Sequence, residues 1–102
     1  MFNVETKKNG NEVEVVIEGM IDSTTSDEFA SSMEKVLLDC PALLTLNFKK
    51  VDYVSSAGFR VLFMVAKEMK KNEGKLRATC VSEEIKNLFS MVHMEHVMEI
   101  ES

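Results

Sequence analysis

A single proline, Pro41, stands between a helical pattern and an apolar strand pattern, and no proline-rich linker, internal repeat or low-complexity tract divides the 102 residues. One continuous domain, residues 1–102, is expected: large enough for a single core, too small to join a catalytic domain to a binding domain. No apolar run approaches the roughly 20 residues that span a bilayer, and the N-terminus lacks the basic-then-apolar order of a secretory signal. The expected location is the cytoplasm. No basic field exists either. The net charge is −5, with acidic residues spread along the chain, which argues against nucleic acid and membrane surfaces as partners. Cysteine is sparse: Cys40 and Cys80 lack the paired spacing of a zinc site or redox motif. Their neighbours Leu37, Leu38, Ala78 and Val81 are apolar, so both are read as buried, reduced thiols. No glycine-rich phosphate loop, nucleophile elbow or Ser/His/Asp order appears, and no cofactor is expected.

What is present is an alternation of strand and helix patterns. Phe2–Lys8 and Glu12–Glu18 flank Asn9-Gly10, a pair suited to a tight hairpin turn, so the first two strands should be antiparallel. The hydroxyls of Ser23, Thr24, Thr25 and Ser26 and the acids Asp27 and Glu28 mark a helix start. Phe29, Met33, Val36, Leu37 and Cys40 then recur at helical spacing. Residues 43–48 read as a strand, 57–72 as a helix, 76–81 as a strand, 83–92 as a third helix and 97–100 as a short closing strand. Strands alternating with helices imply parallel pairs joined by right-handed crossovers. In two strands the apolar residues alternate with polar ones: Glu12, Glu14 and Glu18 with Val13, Val15 and Ile17, and Lys75, Arg77 and Thr79 with Leu76, Ala78 and Cys80. One sheet face should therefore be polar and largely solvent-exposed. The expected fold is α/β, a mixed four- or five-stranded sheet with three or more helices mainly on one face. This speaks against a doubly wound nucleotide-binding sheet, which is covered on both faces.

The second helix carries a core-facing stripe of Leu62, Val65, Ala66 and Met69, with Phe59 beside it. Its opposite side places Met64 among Arg60, Lys67 and Lys71, which reads as an exposed apolar residue in a basic strip, either an ordinary solvated face or a docking face. The helix is entered through Val51-Asp52-Tyr53-Val54-Ser55-Ser56-Ala57-Gly58-Phe59-Arg60-Val61-Leu62. Taken alone, Ser55 or Ser56 could simply cap this helix, and the small residues Ala57 and Gly58 could let it sit close to its strand.

The same segment resembles the signature of the STAS domain of anti-sigma-factor antagonists, in which a strand ends in an aromatic or aliphatic pair and Asp-Ser-(Ser/Thr/Ala)-Gly opens a helix. Gly58 matches the glycine and Ser56 the phosphorylated serine. Glu18-Gly19-Met20-Ile21-Asp22 is similar to the family's turn before the first helix, and Lys86-Asn87-Leu88-Phe89 to its last helix. The resemblance implies a phosphorylation-switched binding protein and not an enzyme. Its unphosphorylated form would bind an anti-sigma factor that is also a serine kinase, freeing the sigma factor. Phosphorylation of Ser56 would end the binding and a serine phosphatase would restore it. The chain is expected to be a monomer, with a partner-binding surface of Asp22, Ser23, Ser55, Ser56, Ala57, Gly58, Arg60, Met64 and Lys67. Ser55 stands where the family pattern usually has Asp, which makes it a rival acceptor and leaves open a STAS scaffold that docks without being phosphorylated.

A phosphate on Ser56 has a physical rationale of its own. The N–H groups and dipole at a helix start favour an anion by about 0.3–1 kcal/mol, so the fold should tolerate it. Its charge of about −1.5 to −2 would repel an acidic or apolar partner patch. A more distant reading is a small hydrolase with Ser56 as nucleophile, although no histidine lies near it in sequence. His93 and His96 are three apart, but no third metal ligand is evident and no metal is expected. Asp22, Asp27 and Glu28 cluster at a helix start, where acids are expected without acid–base chemistry.

Overall fold

The first hairpin is closed by Gly10 and Asn11, since Asn9 pairs with Glu12. The turn thus sits one residue later than Asn9-Gly10 predicts, because the positive φ of +64° falls on Gly10 at the first central position. In the computed structural model, which describes residues 1–102, this turn folds β1 (Asn3–Asn9) antiparallel onto β2 (Glu12–Ile21). Then follow α1 (Ser26–Leu37), β3 (Leu43–Val54), α2 (Ser56–Lys71), β4 (Lys75–Thr79), α3 (Glu83–Met91), a 3-10 turn (Met94–His96) and β5 (Glu99–Ile100).

The five strands lie in the order β1-β2-β3-β4-β5, and every pair after the first is parallel. Three successive crossovers step the same way across the sheet. With one handedness they deliver all their helices to one face. That face carries Val13, Val15, Ile17, Leu44, Leu46, Phe48, Leu76 and Ala78, and 26 buried hydrophobic residues form a single cluster beneath the helices. Phe29, Met33, Val36 and Leu37 bury α1, and Phe59, Leu62, Val65, Ala66 and Met69 bury α2.

The other sheet face is polar, as the alternation predicts, but it is less open than expected. Glu12 is exposed, whereas Glu14, Arg77 and Thr79 are half-buried and Thr45 is buried. Strands about 4.8 Å apart let their side chains shield one another. Asn47 donates to Glu14 Oε2 at 3.2 Å, and Arg77 Nε donates to Thr45 Oγ1 at 3.1 Å.

Two further expectations are corrected. β3 runs six residues beyond Phe48, pairing with β2 as far as Ile21, and register shifts opposite Val16/Glu18 and Gly19/Met20 insert two extra residues into it. Such bulges break the alternation by which a strand is recognised. Cys40 and Cys80 are free and exposed. Both have left-handed backbones, φ 46° and 56°, in the turns that follow α1 and β4. The apolar spacing that puts Phe29 to Leu37 in the core ends with the helix and does not reach Cys40.

Candidate functional site

The extension of β3 carries the chain to the C-terminal edge of the parallel strands, where α2 begins. Ser55 is the N-cap, with an extended backbone, and its N–H donates to Ile21 O at 2.8 Å. That bond draws the β2–α1 loop against the head of α2, so Asp22, Ser23 and Ser55 to Gly58 are brought to one end of the sheet. Gly58 is buried there. A Cβ on it would lie 2.8 Å from Ile21 Cγ2 and Ile21 O and 2.9 Å from Val54 Cγ1. Its place in the expected contact surface is corrected accordingly: it lets the helix approach the sheet and faces no solvent.

The two serines differ sharply. Ser56 is exposed in the first turn of α2. Ser55 Oγ is buried, caps no N–H of the helix and has no hydrogen-bond partner.

In the β2–α1 loop, Asp22 Oδ1 accepts from Thr24 Oγ1 at 2.7 Å and from Thr24 N at 2.9 Å, while Asp22 N donates to Thr25 Oγ1 at 3.0 Å. Thr25 Oγ1 donates to Met20 O at 2.7 Å. The Thr24 hydroxyl first, and the Thr24 N–H next, hold the Asp22 carboxyl below its ordinary range. Ser23 is exposed at the tip of this loop.

Along α2, Ser56, Arg60, Phe63 and Lys67 recur at helical spacing and all are exposed. Ala57 is half-buried. Met64 is not the exposed apolar residue expected among Arg60, Lys67 and Lys71: it is half-buried and packs on the core. It faces Leu37 and Leu38 of the first helix and its end, because α1 lies against that side of α2. Phe63, 37% exposed, is the apolar residue on the open side. It borders a groove of about 420 Å³ between α2 and α3, walled by Tyr53, Phe59, Leu88, Met91 and Val92, with Ser56 and Arg60 at its rim. Tyr53 is 45% and Met91 77% exposed, so the groove is open and apolar. No histidine or carboxylate lines it to take a proton from Ser56. The sequence held a signal for Phe63, seven positions after Ser56 and two turns along the same face; nothing in the sequence alone brings α3 beside it.

A family model described as the STAS domain matches residues 3–102. The chain belongs to the STAS-domain family. The Anti-sigma-B factor antagonist of Bacillus subtilis (strain 168) is 29% identical to this STAS domain over 99 residues, 97% of this chain and 90% of that protein. The crystal structure of an anti-sigma factor antagonist from Mycobacterium paratuberculosis superposes with a TM-score of 0.89 at 15% identity, covering 99% of this chain and 86% of that one. The phosphorylated form of the Bacillus cell fate determinant SpoIIAA superposes at 0.74, with 14% identity and coverage of 100% and 92%. At such identities the two structures establish the shared fold.

Proposed function

We propose that this STAS domain is an anti-sigma-factor antagonist of the cytoplasm, which binds its anti-sigma factor when Ser56 is unmodified and releases it when Ser56 is phosphorylated. The anti-sigma factor is then also the serine kinase, and a serine phosphatase reverses the step. The chain supplies a substrate hydroxyl and a docking face, and no catalytic group.

The observation that carries this reading is the exposed Ser56 hydroxyl at the head of α2, on the rim of an apolar groove. A kinase can reach it, and the helix N-terminus offers an anion a favourable field. Ser55, the rival acceptor, has its hydroxyl buried. The docking face on this reading comprises the exposed stripe Ser56, Arg60, Phe63 and Lys67, with Asp22, Ser23 and Ala57 beside its head. A phosphate there adds about −1.5 to −2 charges where the partner must desolvate the surface, which acts on binding more than on folding.

The test is incubation with the serine kinases of the organism, followed by mass-spectrometric mapping of phosphate. Ser56→Ala should accept none and still bind. Ser56→Asp should remain folded, with stability changed by less than about 1 kcal/mol, and lose most of its affinity for the anti-sigma factor. Phosphate found on Ser55 would move the assignment by one residue. The presence of Ser55 where the family pattern has Asp favours a second reading, a STAS scaffold that docks in a larger signalling assembly without phosphorylation. Undiminished binding by Ser56→Asp would select it.

A further inference from the structure

The turn after α3 gathers a carboxylate, Glu95, with His93 and His96. One donor atom each from His93, Glu95 and His96 lies within 4.8 Å of the others. Glu95 Oε2 is 3.7 Å from His93 Nδ1 and 3.4 Å from His96 Nε2. In a tetrahedral site with metal bonds of about 2.0–2.2 Å, neighbouring donors stand roughly 3.3–3.5 Å apart. Both pairs that include Glu95 are close to that spacing. The two imidazoles must close by no more than about 1.5 Å, which rotation of exposed rings can supply.

The backbone beneath these side chains is held in place. His93 is left-handed at φ 59°, a conformation that His adopts more readily than most residues. Its N–H donates to Ser90 O at 3.2 Å, and Met94 O accepts from Val97 N at 3.0 Å and Met98 N at 3.2 Å. Met94 and Met98 are buried, which pins the turn and leaves the three donor groups in solvent. The imidazole rings stand 5.7 Å apart, edge to face.

We propose that His93, Glu95 and His96 bind one Zn²⁺ ion, with its fourth position left to water. Two imidazoles and one carboxylate suit Zn²⁺, whereas Mg²⁺ and Ca²⁺ take oxygen ligands. The site follows Met91 and Val92 of the groove wall in the chain and borders Glu99 of β5, and it does not depend on the function proposed above.

The test is calorimetric titration of the full chain, carrying no affinity tag, with ZnCl₂ alone, followed by histidine ring signals in NMR. One ion per chain is expected, moving the signals of both histidines. His96→Ala and His93→Asn should each weaken binding by about 10-fold or more, since even outer-shell partners of a metal cost about 10–100-fold. Asn is chosen at 93 because it tolerates the left-handed backbone, and His96→Ala decides the matter if His93→Asn fails to fold. Glu95→Gln should weaken binding too. Equal binding by the unmodified chain and His96→Ala would overturn the site. So would loss of binding in a Cys40→Ser/Cys80→Ser variant, or Mg²⁺ binding as tightly as Zn²⁺.

Discussion

Ser55 and Ser56 are neighbours in opposite surroundings, and their substitutions should part accordingly. Ser55 Oγ has lost its water and gained no partner. Removing a buried hydroxyl that makes no bond takes away a desolvation cost, so Ser55→Ala should leave stability unchanged or raise it by up to about 1 kcal/mol. Urea unfolding checks this, and a clear loss would show that the hydroxyl has a partner in solution. Asp22 makes the contrary case. Its bonds to Thr24 favour the ionised carboxylate and lower its pKa in the folded state from the ordinary value of 3.8. The stability it contributes is therefore fully present above that value and is lost as pH falls below it toward the folded pKa. Asp22→Asn should be less stable than the unmodified chain at pH 7. The difference should shrink on acidification below pH 3.8, measured by thermal unfolding along a pH series. A difference constant with pH would assign the effect to geometry and not to charge.

Among the elements, α2 is fixed by how close it comes to the end of β2. Gly58→Ala gains up to about 1 kcal/mol of helix propensity. Its Cβ would, however, stand 2.8 Å from the main-chain oxygen of Ile21, which cannot swing aside as a side chain can. Overpacking of this kind costs about 1–3 kcal/mol, so a net loss is expected, read as a lower denaturation midpoint. The two apolar residues in the middle of α2 should separate as well. Phe63→Asp, on the open side, should leave the fold intact and abolish docking. Met64→Asp places a charge at the half-buried seam between α1 and α2 and should lower stability, by less than the few kcal/mol, roughly, that a fully buried unpaired polar group costs. Circular dichroism and a pull-down with the anti-sigma factor distinguish them.

The sequence reads correctly as far as its periods hold. The core stripes of α1 and α2 follow from 3.6-residue spacing up to Leu37 and Met69, and the polar sheet face from alternation in β2 and β4. It fails where a period is broken or decided by a distant neighbour. The bulges in β3 hide six residues of strand that deliver the chain to Ser55. Met64 and Phe63 are adjacent, and the choice between them rests on which side of α2 is met by α1, a tertiary fact. The apolar groove needs α3 beside α2, and no local pattern encodes that.

For the whole molecule, the sheet has a strong middle and weak margins. β2 and β3 pair at nine positions, whereas β4 and β5 pair at two. Amide exchange should be slowest in β2 and β3 and fast in β5 and the outer strand β1, because local opening begins where backbone bonds are few or solvent-facing. Comparable protection in β5 would mean that the terminal turn docks more firmly than its two pairs imply. The identity of strand order and chain order has a further result. A ribosome releases the hairpin first, and each later strand then emerges next to the edge on which it must settle, with its own helix ready to cover the seam. No strand waits for a partner still unmade. The loops closed at each step are local, the condition under which chains fold quickly, and the nascent protein can be laid down strand by strand in the order in which it is translated.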